Sequence, residues 1–414
     1  MEEVASLGRR LAMFPAMRVR VGCLVLVLGI AGVAAWSYLR PIPAIAATGS
    51  VHASEVIAGT PPVLPWPNRG SAAVSVQNLG LIASSGNEQA ISAASVTKVM
   101  TALVVLEDKP LKKDEQGPTV TITNFDVQAY YADIAGNQSV LEVRAGEQLT
   151  ELQLLQGMLI PSANNFAETL ARWDAGSIDA FVAKMNARAA ALKLTHTKFA
   201  DTSGADPGSV STPTDLMTLG ITAMKDEVFA QIVAMGQVQL PVVGIVYSTD
   251  HVLGQGGIIG IKTGSGLSSG ANFLFAANVP VDGQTKVVYG CVMGQPTLDS
   301  AFAAARALVA SMQSALHVRR VIPRNETIAT YVTPWGTQSD LVSPVDVDLV
   351  TWPGMVLRQR LDTSAVVLDK PIPAGTKEGN VHIVLGDYNI DAPLVTLYPL
   401  YPPGRLWRLT RLTS

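Results

Sequence analysis

The first forty residues contain an uncharged stretch that limits where this chain can fold. The 19 residues from Val21 to Leu39 include no Asp, Glu, Lys or Arg. As a helix they would be about 28 Å long, close to the roughly 30 Å hydrocarbon core of a bilayer. Arg18 and Arg20 precede the stretch, and Arg40 follows it. This pattern predicts a transmembrane or signal segment and disfavours a helix buried in a soluble core.

Positive charge in this region lies mainly before the apolar stretch, at Arg9, Arg10, Arg18 and Arg20. Because basic residues favour the cytoplasmic side of a membrane, we expect the N-terminus to stay inside and the rest of the chain to be exported. Ala44-Ile-Ala46 has the small residues of a signal-peptidase site, but the apolar run is long for a signal peptide. We expect residues 1–47 to form an uncleaved signal-anchor, with a cleaved signal peptide as the open alternative.

The overall composition excludes several classes of function. The chain has 414 residues, with 30 Lys and Arg against 33 Asp and Glu, and a net charge of −3. It therefore lacks the basic surface on which nucleic-acid binding depends. Cys23 lies in the apolar stretch and Cys291 in a strand-like run, so we expect no disulfide between them. The five histidines are dispersed without a metal-ligand spacing. We expect no nucleic-acid partner, no metal and no cofactor.

Changes in residue pattern divide the exported part of the chain. Residues 48–70 are rich in Pro, Gly, Ser and Ala, which predicts a linker. From 71 to 318, helical patterns and strand-like runs follow one another, which predicts an α+β domain with helices on a mostly antiparallel sheet. Helical patterns then disappear while Pro, Val and Thr become frequent, so residues 319–400 predict a separate small β-rich domain.

Two shorter segments carry local predictions. Ser84-Ser-Gly-Asn-Glu88 has turn chemistry after an alternating pattern, and predicts a strand or hairpin. The tail, residues 401–414, places arginine and leucine at a spacing of three from Arg405 to Leu412. This spacing predicts either contact with a membrane surface or a solvated or packed chain end.

Three short motifs occur in sequence order, namely Ser95-Val-Thr-Lys98, Ser162-Ala-Asn164 and Lys262-Thr-Gly264. Ser95 begins a predicted helix, and Lys98 returns to the same face one turn later. A serine hydroxyl becomes a good nucleophile when a base takes its proton. A lysine amine can act as that base if burial or nearby positive charge lowers its pKa. Each motif alone is explained more simply by an N-cap, a loop or a strand end, but their joint occurrence favours one catalytic site.

The second and third motifs predict groups that support the serine and its base. Lys262 would supply the positive charge that lowers the pKa of Lys98. Ser162 and Asn164, on a loop after Pro161, would form a hydrogen-bonded wall that relays a proton and holds a substrate amide.

The end of the strand that carries Lys262 predicts a substrate-binding edge made of Thr263, Gly264 and Ser265. Gly264 would let a substrate backbone approach closely and pair along this edge. The backbone N–H groups of Ser95 and Ser265 would form an oxyanion hole.

This set of motifs resembles the penicillin-binding proteins and serine β-lactamases. The surrounding sequence narrows the resemblance to the low-molecular-mass D-alanyl-D-alanine carboxypeptidases, and it covers about residues 70–315. The segments that carry it are Ala94–Ala102, Leu154–Asn165, Phe181–Asn186, Thr197–Phe199, Thr202–Gly204, Ser211-Thr212, Asp215-Leu216 and Gly260–Gly264.

The resemblance implies a β-lactamase/transpeptidase-like catalytic domain followed by a small β domain. It also implies that Ser95 attacks the D-Ala-D-Ala bond of a peptidoglycan stem peptide and releases the terminal D-alanine, after which water hydrolyses the acyl-enzyme. β-Lactams would then be covalent inhibitors, and the protein would act outside the cytoplasm.

Some positions depart from the family pattern. Members usually have a hydroxyl residue two positions after the Gly of Lys-Thr-Gly and then an Ala-Gly pair, where this chain has Gly266 and Ser269-Gly270. Many also carry an arginine, after the next-but-one strand, that binds the substrate carboxylate. None lies in the range 294–305, so carboxylate binding would fall to Thr263 or Arg306.

Other activities remain as alternatives. DD-endopeptidase or transpeptidase activity would use the same residues. A class A β-lactamase needs a deacylating glutamate after the second motif, and no glutamate lies between Glu168 and Glu227. A membrane-tethered wall-binding scaffold with an inactive site is the non-enzymatic alternative, and the intact motifs argue against it.

Overall fold

The computed structural model describes residues 3–85 and 89–411, with side chains from Val19 onward. Most of the turn predicted at 84–88 therefore lies outside the described residues, and so does Leu412 of the tail. The hairpin that the structure does show turns earlier than predicted, at residues 77–79. Asn78 there has a φ of 67°, a left-handed conformation that asparagine tolerates.

Ten helices are described. They are α1 (Glu3–Leu39), α2 (Lys98–Asp108), α3 (Asn124–Ala135), α4 (Glu151–Leu159), α5 (Asn164–Ala175), α6 (Ile178–Ala191), α7 (Pro213–Ala223), α8 (Glu227–Val233), α9 (Leu298–Ala315) and α10 (Arg405–Thr410). Side-chain caps start several of them, because threonine at the N-cap accepts from backbone N–H groups that lack a helical partner. Capping boxes at Thr123, Thr150 and Thr297 begin α3, α4 and α9.

Twenty strands complete the described fold. They are β1 (Thr48–Gly49), β2 (Ser54–Val56), β3 (Ser71–Val76), β4 (Gly80–Ser84), β5 (Ile91–Ser92), β6 (Thr119–Thr121), β7 (Gln148–Thr150), β8 (Val210–Ser211), β9 (Gln237–Leu240), β10 (Gly244–Tyr247), β11 (Ile258–Gly266), β12 (Gly270–Val281), β13 (Gln284–Gln295), β14 (His317–Ile322), β15 (Thr327–Val332), β16 (Gln338–Val342), β17 (Val347–Thr351), β18 (Val356–Thr363), β19 (Lys377–Leu385) and β20 (Tyr388–Thr396).

The central sheet is antiparallel and has both faces covered. Its order is β11-β12-β13-β3-β4, so β11 is an edge strand. Because side chains alternate along a strand, Leu274 and Ala276 of β12 pack in the core of α2 and α4–α8, whereas Phe273 and Phe275 pack in the core that contains α9. This arrangement confirms the predicted α+β class, with helices on a mostly antiparallel sheet.

A second sheet forms the small C-terminal β region, in the order β1-β15-β16-β20-β19-β18-β2. Its two edges come from the segment at 48–70 that was expected to be a linker. β1 pairs with β15 and β2 pairs with β18, while Ile57 and Leu64 are buried in the adjoining core. The linker interpretation is therefore wrong for these residues, since they complete the C-terminal sheet.

The apolar stretch near the N-terminus lies within one long helix, α1. The part from Val19 to Leu39 has a mean hydropathy of 2.1 and is long and apolar enough to cross a membrane. The tail does not extend away from the fold, because α10 packs against α1.

Close packing of α4 against α5 positions the turn between them. Gly157 of α4 allows this packing because it has no side chain. A Cβ on Gly157 would lie 2.4 Å from the ring of Phe166. We predict that Gly157→Ala lowers the free energy of unfolding by about 1–3 kcal/mol in chemical denaturation. The matched control, Gly236→Ala, meets no atom within 4 Å and should change it by less than about 0.5 kcal/mol. Equal stabilities for the two variants would contradict this packing.

Candidate active site

A short 3₁₀ turn, Ala94–Thr97, brings the first motif together at the start of α2. In a 3₁₀ turn, side chains at positions i and i+3 lie almost directly above one another. Ser95 Oγ and Lys98 Nζ are 2.9 Å apart. Ser95 is half-buried, whereas Lys98 is completely buried. The serine is thus open to one side while its lysine neighbour is shielded from water.

The Lys98 amine has two further hydrogen-bond partners. It donates to Asn164 Oδ1 at 2.6 Å and to the carbonyl oxygen of Ser203 at 2.8 Å. The amide group of Asn164 also donates to Gln138 Oε1 at 3.1 Å, and its backbone N–H donates to the carbonyl oxygen of Ser139 at 2.7 Å. Lys98 therefore joins α2 to the first residue of α5 and to the loop before β8.

Burial and charge both act on this lysine. Its burial, followed by the charge of Lys262, holds the pKa of Lys98 well below its ordinary range, with Asp201 and Asp133 acting in the opposite direction. Burial lowers the pKa of Lys262 to about 7, and Asp250 partly offsets that effect. Lys262 is therefore poised to change protonation near neutral pH, and the lowered pKa of Lys98 favours its neutral form, which suits acid–base chemistry.

The third motif lies on edge strand β11 directly beside the serine turn. A Cβ on Gly264 would be 3.0 Å from the carbonyl oxygen of Ala93 and 3.1 Å from the backbone nitrogen of Ser95. A side chain at this position would force the strand and the serine turn apart by a few tenths of an ångström. Lys262 is buried and donates to the carbonyl oxygen of Thr263 at 3.2 Å. The hydroxyl groups of Thr263 and Thr249 are 2.6 Å apart.

One residue beside the serine and one residue of the second motif have unusual backbone conformations. Ser162 is buried with a φ of 71°, and Ala94 has a φ of 47°, a region that residues with a side chain seldom adopt. Such strain tends to gather at functional sites. Gly204 has a φ of 82° and packs closely on Ala94. A Cβ added to Gly204 would lie 1.8 Å from the Ala94 carbonyl oxygen. The backbone around Ser95 is therefore tightly constrained.

A cavity of about 550 Å³ opens beside these groups. Apart from Leu267, its lining residues are polar or small, and the full set is Ser92, Ala94, Gly136, Asn137, Gln138, Gly204, Ala205, Ser265, Gly266, Leu267, Ser268 and Ser269. Ser265 is exposed at the end of β11. The shape and lining suit a peptide backbone laid along the free edge of the sheet.

One residue considered for carboxylate binding lies elsewhere. Arg306 projects from α9, on the other face of the central sheet from α2 and α5, and donates to Gln255 Oε1 at 3.0 Å. It is not among the residues that line the cavity. Of the two residues suggested for carboxylate binding, Thr263 is the one that lies in this site, because it follows Lys262 on β11.

Several contributors were not assigned a role from the sequence. Ser203 and Gln138 supply hydrogen bonds around Lys98 and Asn164, while Thr249 and Asp250 lie beside the third motif. The segment Thr202–Gly204 was part of the family resemblance, which was the one available signal for Ser203. The others are brought in by the tertiary fold.

The comparisons with known proteins agree with this geometry. A sequence profile of the D-alanyl-D-alanine carboxypeptidase family of peptidases matches residues 69–297. A D-alanyl-D-alanine carboxypeptidase of Mycobacterium tuberculosis is 37% identical over 191 residues, which are 44% of this chain and 61% of that protein. A D-alanyl-D-alanine endopeptidase of Pseudomonas aeruginosa is 33% identical over 163 residues, or 39% of this chain and 49% of that protein. The chain thus spans about half to three-fifths of the length of these relatives.

Solved structures give the same assignment of the fold. A Streptomyces DD-transpeptidase superposes with a TM-score of 0.52 at 26% identity, covering 61% of this chain and 98% of that one. Penicillin-binding protein 5 of Haemophilus influenzae superposes with a TM-score of 0.59 at 20% identity, covering 83% of this chain and 100% of that one. The chain therefore belongs to the D-alanyl-D-alanine carboxypeptidase family.

Proposed function

We propose that this protein is a serine-type D-alanyl-D-alanine carboxypeptidase that removes the terminal D-alanine from peptidoglycan stem pentapeptides. The observation that carries the proposal is the 2.9 Å approach of Lys98 Nζ to Ser95 Oγ, with the amine buried. This pairing of nucleophile and base is what covalent catalysis at a serine requires. The reaction needs no metal or cofactor.

Neutral Lys98 is the general base for Ser95. A neutral amine has two N–H groups and one lone pair. Asn164 Oδ1 and the Ser203 carbonyl oxygen accept the two N–H groups, which turns the lone pair toward the Ser95 hydroxyl. Lys98 takes the hydroxyl proton as Oγ bonds to the penultimate D-alanine carbonyl carbon. The peptide C–N bond then breaks, and the proton leaves with the terminal D-alanine.

Lys262 supports this chemistry through its charge, which favours the neutral form of Lys98. Ser162 and Asn164 hold the substrate amide and relay the proton to the leaving amine. Thr263 binds the substrate carboxylate.

The edge of β11 is where the substrate backbone binds in this mechanism. Gly264 and Ser265 offer free main-chain groups there, because β11 has a neighbour on one side only. The backbone N–H groups of Ser95 and Ser265 stabilise the negative oxygen of the tetrahedral intermediate. Water then attacks the acyl group and frees Ser95.

DD-endopeptidase or transpeptidase activity is the second candidate. It would use the same acyl-enzyme on Ser95, with a cross-linked peptide as donor or another amine as acceptor. Similarity to proteins named as a DD-endopeptidase and a DD-transpeptidase supports it.

We also propose that the protein works outside the cytoplasm and is anchored to the membrane through α1. The apolar length of Val19–Leu39 and the family's substrate, which lies outside the membrane, support this location. Residues 71–318 would then be the catalytic domain, and the β region at 319–400 would hold it near the membrane.

Penicillin labelling tests the nucleophile. A β-lactam carbonyl mimics the scissile amide, so a fluorescent penicillin should label the protein covalently, and Ser95→Ala should abolish the labelling. Ser314→Ala, an exposed serine on α9, should label like the parent protein. Undiminished labelling of Ser95→Ala would remove Ser95 from the mechanism.

Product release tests the reaction. A pentapeptide that ends in D-Ala-D-Ala should yield free D-alanine in proportion to the active protein, measured by an amino-acid assay. Labelling by penicillin without any D-alanine release would contradict carboxypeptidase activity, and a cross-linked dimeric peptide as substrate would then identify the endopeptidase.

The pH dependence of acylation tests the role of Lys262. Asp250 raises the pKa of Lys262, so Asp250→Asn should lower that pKa below about 7. Lys262 would then lose its charge at a lower pH, and the alkaline limb of the penicillin-acylation rate should shift to lower pH.

The shift should vanish in acid, because the pKa of Asp250 is itself raised to about 6 by burial and its charge is absent below that. Asp369→Asn removes the same charge from an exposed position in the C-terminal β region and should leave the profile unchanged. Identical profiles for the two variants would mean that Asp250 does not control Lys262.

A further inference from the structure

The C-terminal end of α1 makes specific contacts with the tail of the same chain. Between Val19 and Leu39, every described side chain is exposed or half-exposed except Ser37, which is fully buried. Ser37 Oγ donates to the carbonyl oxygens of Arg408 and Arg411, each at 3.0 Å. A helix that only spanned a bilayer would have no reason to bury a serine against the last residues of the chain.

Arg411 closes the end of α1 from the other side. Its guanidinium donates to the carbonyl oxygens of Ser37 at 3.1 Å, Pro41 at 2.9 Å and Arg40. Arg411 is only 6% exposed. The last carbonyl groups of a helix lack intrahelical partners and carry partial negative charge, so a buried guanidinium stabilises that end.

Aromatic contacts join the same unit to the C-terminal β region. The rings of Trp407 and Trp335 meet edge to face with centroids 5.0 Å apart. Trp335 Nε1 donates to the carbonyl oxygen of Tyr401 at 2.8 Å, and the Arg408 guanidinium lies 4.8 Å from the ring centre of Tyr38. We call the contacts of residues 37–41 with residues 408–411 the helix clamp.

The segment that follows α1 is built into the C-terminal β region as well. Ile45 exchanges two backbone hydrogen bonds with Val366, at 2.8 and 2.9 Å, and is 7% exposed. The Ala44-Ile-Ala46 sequence that resembles a signal-peptidase site is therefore paired with the C-terminal β region through Ile45, while both alanines are exposed. Cleavage after Ala46 would remove Ile45 from the core and all three carbonyl acceptors of Arg411.

We propose that α1 is retained in the mature protein and that the helix clamp fastens the C-terminal β region to the outer end of the membrane-spanning helix. Complementarity between residues 37–45 and the last residues of the chain is useful only if both remain in one molecule. The clamp would hold the β region against the membrane surface and fix the orientation of the catalytic domain. The inference rests on the membrane anchoring proposed above and not on the chemistry at Ser95.

The intact mass of the protein tests retention. The full chain is produced in a bacterium with its own signal peptidase and purified from the membrane fraction in detergent. We expect the mass of a chain that still contains α1. A mature chain that begins after Ala46, in the membrane or in the medium, would overturn the proposal.

Hydrogen exchange in the same detergent-purified protein tests the clamp. Arg411→Ala should speed exchange of the Arg40 and Ile45 amides by about tenfold or more, because charged hydrogen bonds that hold their neighbours are lost. Arg405→Ala is the matched control, since it removes an exposed arginine from α10, the helix that Arg411 follows. Exchange at Ile383, inside the C-terminal sheet, reports whether each variant is folded.

The result expected is faster exchange at residues 40–45 in Arg411→Ala only, with Ile383 protected throughout. Equal protection of residues 40–45 in the two variants would show that Arg411 does not clamp α1. If Arg411→Ala also lost protection at Ile383, Ser37→Ala would replace it, and unchanged exchange at residue 40 in that variant would equally overturn the clamp.

Discussion

The burial of Lys98 is the constraint on which the rest of the site depends. A charged amine with no exposure would lose several kcal/mol of hydration, so it must be neutral, hydrogen-bonded, or both. Its three partners are Ser95 Oγ, Asn164 Oδ1 and the Ser203 carbonyl oxygen, which come from three separate segments. Satisfying one amine therefore fixes the 3₁₀ turn, the start of α5 and the loop before β8 relative to one another.

The second lysine explains why neutrality is the favoured state. Lys262 is buried on β11, and its charge opposes a charge on Lys98. Asp250 acts on Lys262 in turn, although the two groups form no ion pair within 4.0 Å in the described part of the chain. Two glycines, Gly204 and Gly264, let the loop and the strand reach the Ser95 turn closely enough for these charges to interact. The close backbone packing around Ser95 therefore also sets how strongly Lys262 lowers the pKa of Lys98.

The sequence identified the groups whose chemistry is local. The i, i+3 spacing of Ser95 and Lys98 was sufficient to predict their contact. Asn164 of the second motif and Gly264 of the third also lie beside this pair, and the catalytic roles of these residues stay a prediction. Residues that contribute through a carbonyl oxygen, such as Ser203, leave no signature, because any residue could supply that atom. Thr249 and Asp250 were not predicted, because they gain a role only when the folded chain places their segment beside β11.

The linker predicted at residues 48–70 was wrong for a similar reason, because the structure there depends on distant partners. Residues 48–70 have the composition of a linker, yet β1 and β2 supply both edges of the C-terminal sheet. Strands this short carry no periodic pattern and form only because a partner strand is present. The tail, in contrast, has a spacing of three, for which a packed chain end was one alternative, and α10 packs against α1. The strand-like runs of β12 and β13 were long enough to predict strands of the central sheet.

The charge state of Lys98 decides whether it can take the proton of Ser95. A direct test is to label the lysine side chains with carbon-13 and to titrate the resonance that Lys98→Arg removes. We predict that Lys98 changes protonation well below the ordinary range of a lysine and is neutral at the pH where penicillin acylates Ser95. A Lys98 that stays protonated up to the ordinary lysine range, in protein that still acylates, would contradict this prediction.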